Sequence, residues 1–263
     1  MNATSLVSSH AGFHQSHDYD PDQYWRRTKD SYPHYPTIRH RKRFIRGVLL
    51  REGLGDDTFV FEYGCGSGGV LKDVRDQFHL RDTQLGGCDI SSTAIELARR
   101  DIASPLLYIS TSPELPRPCD VIICTEVLEH TTQYDKILKW SWENLAEHGL
   151  LIVTTQAGKI HASDRYTGHT QHFQLPQLNA LLVQLGFTLE RSRLWGWPLF
   201  TLQKYLTDVH FKSVQKGYLE GELTFKKRLV FGLATALYYL HDFIPYGPQI
   251  FIVARKPGSY ALT

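Results

Sequence analysis

The sequence predicts an α/β protein built on one mostly parallel sheet, with helices covering both faces. Between residues 57 and 155, short apolar runs alternate regularly with segments of helical periodicity. Strands that are apolar throughout and separated by helices are typical of a parallel sheet buried on both sides. A cluster of glycines follows the first run, at the edge where such a sheet binds its ligand. Together these observations predict a doubly wound α/β fold.

The predicted strands follow in order along the chain. The apolar runs up to residue 155 are TFVFEYG, LGGCDI, PLLYIS, DVIICT and GLLIVTT, and helical segments such as VLKDVRDQF and STAIELARRDI separate them. A later helix, LPQLNALLVQLG, ends at Gly186, where a C-capping glycine is common. The strand-like runs FTLERSRLW and QIFIVARKP then complete a predicted sheet of seven strands.

Two segments lie outside this alternation. Residues 1–50 are predicted to be a lead-in followed by a helical cap, with five Arg and Lys residues between positions 39 and 46. Residues 51–263 are predicted to form the main domain, and 196–246 is an aromatic-rich insertion between its last two strands. An insertion of this length is usually functional, so 196–246 is predicted to be a lid over the substrate.

Composition limits the classes of function. The net charge of +2 and the pI near 8.3 are too mild to indicate a nucleic-acid partner by themselves. The four cysteines, at positions 65, 88, 119 and 124, lack the paired spacing of a metal site. Residues 1–20 lack the basic start and apolar stretch of a secretory signal. These features predict a reduced, cytoplasmic setting, and no pattern indicates an oligomeric state.

The longest apolar run is LVFGLATALYYL, residues 229–240. It is shorter than the about 20 residues that a membrane-spanning helix needs, so no transmembrane segment is predicted. Lys226, Lys227 and Arg228 precede it directly. A core or lid helix is the favoured interpretation, and contact of residues 226–240 with a membrane surface is the alternative.

The glycine cluster VFEYGCGSGGV, residues 60–70, has two interpretations. Gly64, Gly66 and Gly69 fit the G-x-G-x-x-G pattern of a dinucleotide site. With Gly68 in place of Gly69, and Glu62 as a preceding acid, the same loop fits a nucleoside that carries no phosphate. A carboxylate beside the loop would repel a pyrophosphate, but it suits an amino group. Glu62 therefore favours the second interpretation.

Residues 57–158 resemble the class I S-adenosylmethionine-dependent methyltransferases. The resemblance is carried by FEYGCGSGG, GCDISSTAIELAR, CDVIICTEVLEH and ENLAEHGLLIVTT, in that order. It implies a Rossmann-like methyltransferase fold, S-adenosyl-L-methionine as the cofactor, and an enzyme that transfers methyl groups.

The resemblance also implies roles for individual residues. On the methionine side it implies contacts from Glu62, Gly64, Cys65, Gly66, Thr125 and Glu126. On the nucleoside side it implies that Asp89 binds the ribose hydroxyls and that Ile90 packs on the adenine. Many relatives carry an acidic residue after the third strand, whereas this chain has Ser110, Thr111 and Ser112. Thr111 is the expected contact there.

A second group of residues follows the fourth and fifth strands. If TEVLEH (125–130) enters a helix, Glu126, Glu129 and His130 share one helical face. The segment RYTGHTQHF (165–173) follows the fifth strand and can bring His169 or His172 to the same end of the sheet. Two carboxylates with one or two imidazoles suit Mg²⁺, Mn²⁺, Fe²⁺, Co²⁺ or Zn²⁺.

The Glu-x-x-Glu-His pattern is similar to that of small-RNA 2′-O-methyltransferases and of ubiquinone-biosynthesis O-methyltransferases. This resemblance implies the metal ligands Glu126, Glu129, His130 and His169. The same segment also occurs in methyltransferases that bind no metal. In that case His130 or His169 is the predicted general base, because imidazole titrates near neutral pH.

The predicted function is methyl transfer to a hydroxyl, or less favourably an amine, of a small organic molecule. The alternatives are an RNA 2′-O-methyltransferase that uses the same metal ligands, and a non-catalytic protein that binds the cofactor. The substrate is expected between the cap and the insertion, beside an aromatic wall: Tyr24, Trp25, Tyr32, Tyr35, Trp195, Trp197, Phe200 and Tyr205.

Overall fold

A seven-stranded sheet forms the centre of the protein. The computed structural model describes residues 19–219 and 222–258, so most of the predicted lead-in lies outside the described residues. The strands are β1 (Val60–Tyr63), β2 (Leu85–Asp89), β3 (Leu107–Ile109), β4 (Cys119–Thr125), β5 (Leu145–Gln156), β6 (Thr188–Trp195) and β7 (Gln249–Arg255). They lie in the order β3-β2-β1-β4-β5-β7-β6, and β7 runs antiparallel to both of its neighbours. The predicted doubly wound, mostly parallel fold is confirmed.

Helices connect the strands and cover the sheet. They are α1 (Pro21–Thr28), α2 (Pro36–Glu52), α3 (Gly69–Phe78), α4 (Ser92–Asp101), α5 (Tyr134–Asn144), α6 (Ala162–Tyr166), α7 (Leu175–Gln184), α8 (Leu199–Val209), α9 (Phe211–Val214) and α10 (Phe225–Tyr238). In its described part, the predicted insertion thus contains three α-helices, α8 to α10, a π-helical turn over Gln215–Leu219 and a short 3-10 helix over Tyr239–Phe243.

The core has two layers, one on each face of the sheet. Along β1, Val60 packs into one layer, while Phe61 packs into the other. Along β4, Ile123 and Ile122 divide in the same way, and all four side chains are fully buried. This alternation explains why apolar residues follow one another directly in the central strands.

The N-terminal cap is fastened to the main domain through Asp22. One carboxylate oxygen of Asp22 accepts hydrogen bonds from the Ser91 hydroxyl (2.5 Å) and the Thr93 amide (2.9 Å). The other accepts from the Ser92 hydroxyl at 3.1 Å. Asp22 therefore joins α1 to the N-terminal turn of α4, where a negative charge is also favoured by the helix dipole.

The segment after β4 differs from the prediction. Glu126 has a φ of +54°, and the only helical structure in TEVLEH is a 3-10 turn over Leu128–His130. Glu126 lies outside this turn, so no helix continues from Glu126 to His130. The expectation that Glu126, Glu129 and His130 share a helical face is therefore wrong.

Candidate active site

The predicted cofactor residues meet at one cavity of about 760 Å³. It lies at the carboxyl ends of β1, β2 and β4, and α1, α2, α8 and α10 contribute to its walls. His130 and His169 line the same cavity. So do all nine predicted cofactor residues, which are Glu62, Gly64, Cys65, Gly66, Asp89, Ile90, Thr111, Thr125 and Glu126.

The loop after β1 needs glycine for two reasons. Gly64 has a φ of +71° and Gly66 a φ of +51°, which are conformations that other residues rarely adopt. A Cβ on Gly64 would lie 2.2 Å from Val127, and one on Gly66 would lie 2.3 Å from the Trp25 ring. Glycine therefore lets the loop pack directly against these two side chains, and both glycines line the cavity.

Asp89 lies at the end of β2 and braces the glycine loop. Its two carboxylate oxygens accept hydrogen bonds from the Gly66 amide and the Ser91 amide, each at 2.9 Å. Burial raises the pKa of Asp89, although both amides and the backbone of Ile90 oppose that rise. A carboxylate accepts about four hydrogen bonds, so Asp89 can still accept two from a ligand in the cavity.

Glu62 is a buried carboxyl group that lines the cavity. Only 2% of the residue is exposed, and its Oε2 has no hydrogen-bond partner among the described residues. Burial raises the pKa of Glu62 well above its usual range, more than the nearby Lys42 and Arg41 lower it. An unpartnered carboxyl oxygen in this place fits a ligand that carries a hydrogen-bond donor, such as an amino group, and not a phosphate.

Glu126 is held in a buried polar network. Its Oε1 accepts hydrogen bonds from Thr154 (2.8 Å) and Gln249 (2.5 Å). Its Oε2 accepts one from Gln156 (2.6 Å) and lies 3.3 Å from an Arg41 nitrogen. Burial by itself raises the pKa of Glu126, but Arg41 and the hydrogen bonds outweigh it and lower the pKa. These four partners occupy both oxygens, so the structure separates Glu126 from the predicted metal ligands.

The other three predicted metal ligands do come together. Single ligand atoms of Glu129, His130 and His169 all lie within 4.8 Å of one another. Glu129 is fully buried, and its Oε2 accepts a hydrogen bond from Thr155 at 2.7 Å. Glu129 Oε1 and His130 Nδ1 are buried and have no partner among the described residues. We call these three residues the Glu–His cluster.

Burial determines the protonation of the Glu–His cluster. It lowers the pKa of His130 to about 4 and that of His169 well below its usual range. It raises the pKa of Glu129 well above its usual range, with a further rise from the charge of Glu126. Both imidazoles are therefore neutral at pH 7, which is the form that binds a metal ion or accepts a proton.

A chain of polar residues lies behind the cluster, and two of its members, Asp164 and Lys204, were not predicted. His169 Nδ1 lies 3.0 Å from His172 Nε2, which lies 3.7 Å from an Asp164 carboxylate oxygen. The other oxygen of Asp164 lies 3.0 Å from the amine of Lys204, on α8. Asp164 follows β5, as His169 does, so its position in the sequence could have predicted that it lies near the cluster. Lys204 lies in the insertion, and no sequence pattern indicated its contact with Asp164.

Aromatic residues form much of the remaining wall, as predicted for Tyr24, Trp25, Tyr32, Tyr35 and Phe200. Tyr19 was missed, although its ring stacks on His130 with the centroids 5.9 Å apart. Trp195, Trp197 and Tyr205 are not part of the wall. Trp195 instead belongs to the core, where its ring stacks on Phe251 at 5.7 Å.

A family model described as a methyltransferase domain matches residues 37–192, more than half of the chain. The chain belongs to this methyltransferase family. With its strand order and its glycine loop, it is a class I S-adenosylmethionine-dependent methyltransferase, and therefore an enzyme. Glu62 Oε2, which has no partner among the described residues, fits that cofactor.

One curated relative and two solved structures are similar to this chain. The mitochondrial ubiquinone biosynthesis O-methyltransferase of Schizosaccharomyces pombe is 31% identical over 124 residues, which are 44% of this chain and 44% of that protein. The alignment thus spans less than half of the relative.

The cyclase SpnF has a TM-score of 0.53 at 19% identity, over 83% of this methyltransferase and 81% of SpnF. The magnesium protoporphyrin IX methyltransferase of Synechocystis PCC 6803, solved with bound SAM, has a TM-score of 0.52 at 14% identity, over 82% and 78% of the two chains. At these identities the structures share the fold.

Proposed function

We propose that this methyltransferase transfers the methyl group of S-adenosylmethionine to a hydroxyl group of a small organic molecule. The observation that carries the proposal is that Glu129 Oε1 and His130 Nδ1 are buried with no hydrogen-bond partner among the described residues, and that His130 lines the cavity. A hydroxyl must lose its proton as it takes the methyl group, so its enzyme needs a group that removes the proton or lowers the pKa of the acceptor. An amine needs less help.

The cofactor is proposed to lie along the ends of β1, β2 and β4. Glu62 takes the amino group of the methionine part, and Asp89 accepts hydrogen bonds from the ribose hydroxyls. Ile90 and Thr111 lie against the adenine. Gly64, Cys65, Gly66 and Thr125 line the methionine side. Glu126 keeps its carboxylate in the network with Arg41, so its contribution is to shape the wall of the cavity.

The Glu–His cluster is proposed to hold a divalent metal ion. Two neutral imidazoles and an unpartnered carboxyl oxygen make a mixed nitrogen and oxygen ligand set, which suits Mn²⁺, Fe²⁺, Co²⁺ or Zn²⁺, and also Mg²⁺. When bound, the metal would lower the pKa of a coordinated hydroxyl. Because His172 bonds to His169 Nδ1, it would orient the His169 ring for binding through the other nitrogen. If no metal binds, His130 or His169 remains as the base, but the pKa of His130, at about 4, makes it a weak one.

Two further observations bear on the acceptor. The relative from Schizosaccharomyces pombe is named as an O-methyltransferase of ubiquinone biosynthesis, which supports a hydroxyl acceptor. The basic run at residues 39–46 gives little support to RNA as the acceptor. In that run Arg41 pairs with Glu126, Arg43 with Asp242, and Arg46 with Asp73. These three arginines form ion pairs with acidic residues of the same chain, so they do not form an open basic stripe.

The test is turnover of radiolabelled S-adenosylmethionine with a panel of catechols, phenols and amines, using Glu129→Gln and the exposed control Glu114→Gln. We expect methyl transfer to hydroxyl acceptors. We also expect kcat to fall by about 100-fold or more in Glu129→Gln, with unchanged affinity for S-adenosylhomocysteine. The control should match the wild type. Methylation of amines alone, or full activity of Glu129→Gln, would contradict the proposal.

The metal is tested separately by titrating Mn²⁺ and Zn²⁺ into protein stripped with EDTA. We expect one ion per chain, bound at least about tenfold more weakly by Glu129→Gln than by the wild type. Absence of binding by both metals would remove the metal and leave the histidines as the candidate bases.

A further inference from the structure

The insertion carries most of the apolar surface that the structure exposes. Eighteen large apolar side chains are exposed among the described residues, and fifteen of them lie between positions 197 and 246. Single exposed apolar residues are ordinary, whereas a concentrated patch marks an interaction surface. The three exceptions, Leu50, Ile109 and Val183, lie on separate elements.

On α10 the exposed apolar residues form one stripe. Phe231 and Tyr238 are buried and fix the inward face of the helix. The outward side should then be polar, but it carries leucines at intervals of about one turn. The stripe continues into the following 3-10 turn, and its exposed fractions are 81% for Phe225, 64% for Leu229, 61% for Leu233, 44% for Leu237 and 53% for Leu240.

The adjacent helix α8 repeats this arrangement. Leu202, Leu206 and Val209 are more than half exposed and are spaced to lie on one helical face. Helices α8 and α10 contact each other. Leu202 and Leu206 of α8 and Val230 of α10 also line the cavity while remaining exposed. The cavity therefore reaches the surface between these two apolar stripes, which together we call the apolar face.

Positive charges accompany the apolar face. Lys226 and Arg228 flank the start of the α10 stripe, and Lys212 and Lys216 follow α8. All four are exposed, and none has an ion pair with a described acidic residue. Tyr205, Tyr239 and Tyr246 are also exposed in this part of the chain. Exposed leucines with lysine, arginine and tyrosine are typical of helices that lie in the headgroup region of a membrane.

We propose that the apolar face rests on the surface of an anionic lipid bilayer, with the mouth of the cavity at that surface. A peripheral contact is required, because none of the helices in the described part of the chain is long and apolar enough to span a membrane. The leucines would enter the boundary between headgroups and acyl chains, and the lysine and arginine side chains would meet the lipid phosphates.

The test is co-sedimentation of the full chain with vesicles of phosphatidylcholine and phosphatidylglycerol. We expect the wild type to sediment with them, and Leu229→Glu/Leu233→Glu to bind at least about tenfold more weakly. The matched control is Leu50→Glu/Val183→Glu, which places the same charges at equally exposed apolar sites elsewhere. It should bind as the wild type does. Lys226→Glu/Arg228→Glu should lose the preference for vesicles that contain phosphatidylglycerol.

Binding of S-adenosylhomocysteine, measured on every variant, reports folding and is independent of the bilayer. The proposal is overturned if the wild type stays in the supernatant with both vesicle compositions, or if Leu229→Glu/Leu233→Glu binds as well as the wild type. It is also overturned if the wild type does not bind vesicles and forms a dimer that the substitutions Leu229→Glu/Leu233→Glu dissociate. A second copy of the chain would then cover the apolar face.

Discussion

Arg41 and Glu126 form a buried ion pair, 3.3 Å apart, that joins the N-terminal cap to the end of β4. Arg41 lies on α2, and Glu126 directly follows the strand. Side-chain exposure is only 6% for Arg41 and 14% for Glu126. The pair therefore connects the cap to the sheet beside the cavity. Because both groups are buried, each charge is compensated by the other.

Replacing Arg41 should be strongly destabilising. Arg41→Met leaves the Glu126 carboxylate buried without its counter-ion, so we expect the free energy of unfolding to fall by about 3–5 kcal/mol. Arg46→Met is the control on the same helix. It breaks a partly exposed pair with Asp73 and should cost less than about 1 kcal/mol. Urea denaturation measures both, and equal losses would show that the Arg41 pair is not special.

Adding Glu126→Gln to Arg41→Met tests the same pair from the other side. The double variant has no uncompensated charge, so we expect it to be more stable than Arg41→Met alone. A double variant less stable than Arg41→Met would mean that Glu126 acts mainly through Thr154, Gln156 and Gln249.

The glycine loop should tolerate no side chain at Gly64. Gly64→Ala combines a positive φ with a Cβ placed 2.2 Å from Val127. We expect it to lower the free energy of unfolding by about 2 kcal/mol or more, and to weaken binding of S-adenosylhomocysteine. Gly55→Ala is the control, because its Cβ would meet nothing closer than Thr58 at 3.9 Å. Comparable stability and ligand binding in the two variants would contradict the account of the loop.

Asp22 should control how firmly α1 covers the cavity. Asp22→Ala removes the hydrogen bonds to Ser91, Ser92 and Thr93, which we expect to loosen α1 by about 1 kcal/mol. Faster proteolysis near Tyr24 and faster release of S-adenosylhomocysteine in stopped-flow measurements should follow. The exposed Asp30→Ala is the control. If release is unchanged in Asp22→Ala, α1 does not retain the cofactor.

His130 should contribute a loss of stability in mild acid, opposite in sign to the contribution of Glu62 and Glu129, whose pKa values are raised. Its pKa is about 4 in the folded protein, below its ordinary value of 6.5. Between these values the unfolded chain binds a proton that the folded protein does not, so the free energy of unfolding falls as the pH drops from 6.5 to 4. His40 and His241, with a pKa also lowered to about 4 by burial, act in the same direction.

His130→Asn should make this part of the pH profile shallower, measured by urea denaturation in EDTA so that no metal intervenes. His79→Asn is the control, because His79 is exposed and asparagine tolerates its positive φ of 55°. Parallel profiles for wild type and His130→Asn would exclude His130 as a buried neutral imidazole.

The sequence was sufficient for the fold and for bringing the nine predicted cofactor residues to one cavity. Alternating apolar runs reported a sheet buried on both faces, and residues at the ends of β1 and β2, such as Glu62 and Asp89, had to meet at one edge. The buried sheet follows from the local hydrophobic pattern, and the meeting of strand ends follows from the parallel topology. Both can be deduced from one sequence.

The residues predicted as metal ligands come together only in part. Glu129, His130 and His169 come together because they follow adjacent strands. Glu126 does not join them, because its positive φ and its partners Arg41 and Gln249 depend on contacts with α2 and β7. Those contacts span 85 and 123 positions of the chain, and no local pattern reveals them.

The central claim is that the cavity binds S-adenosylmethionine through Asp89, and calorimetric titration of S-adenosylhomocysteine tests it most directly. We expect binding to the wild type and to the exposed control Asp56→Ala, and about 10–100-fold weaker binding to Asp89→Ala, because two hydrogen bonds to a charged acceptor are lost. Thermal melting of Asp89→Ala should confirm that it is folded. Binding of NADH in place of S-adenosylhomocysteine, or unchanged affinity in Asp89→Ala, would contradict the account.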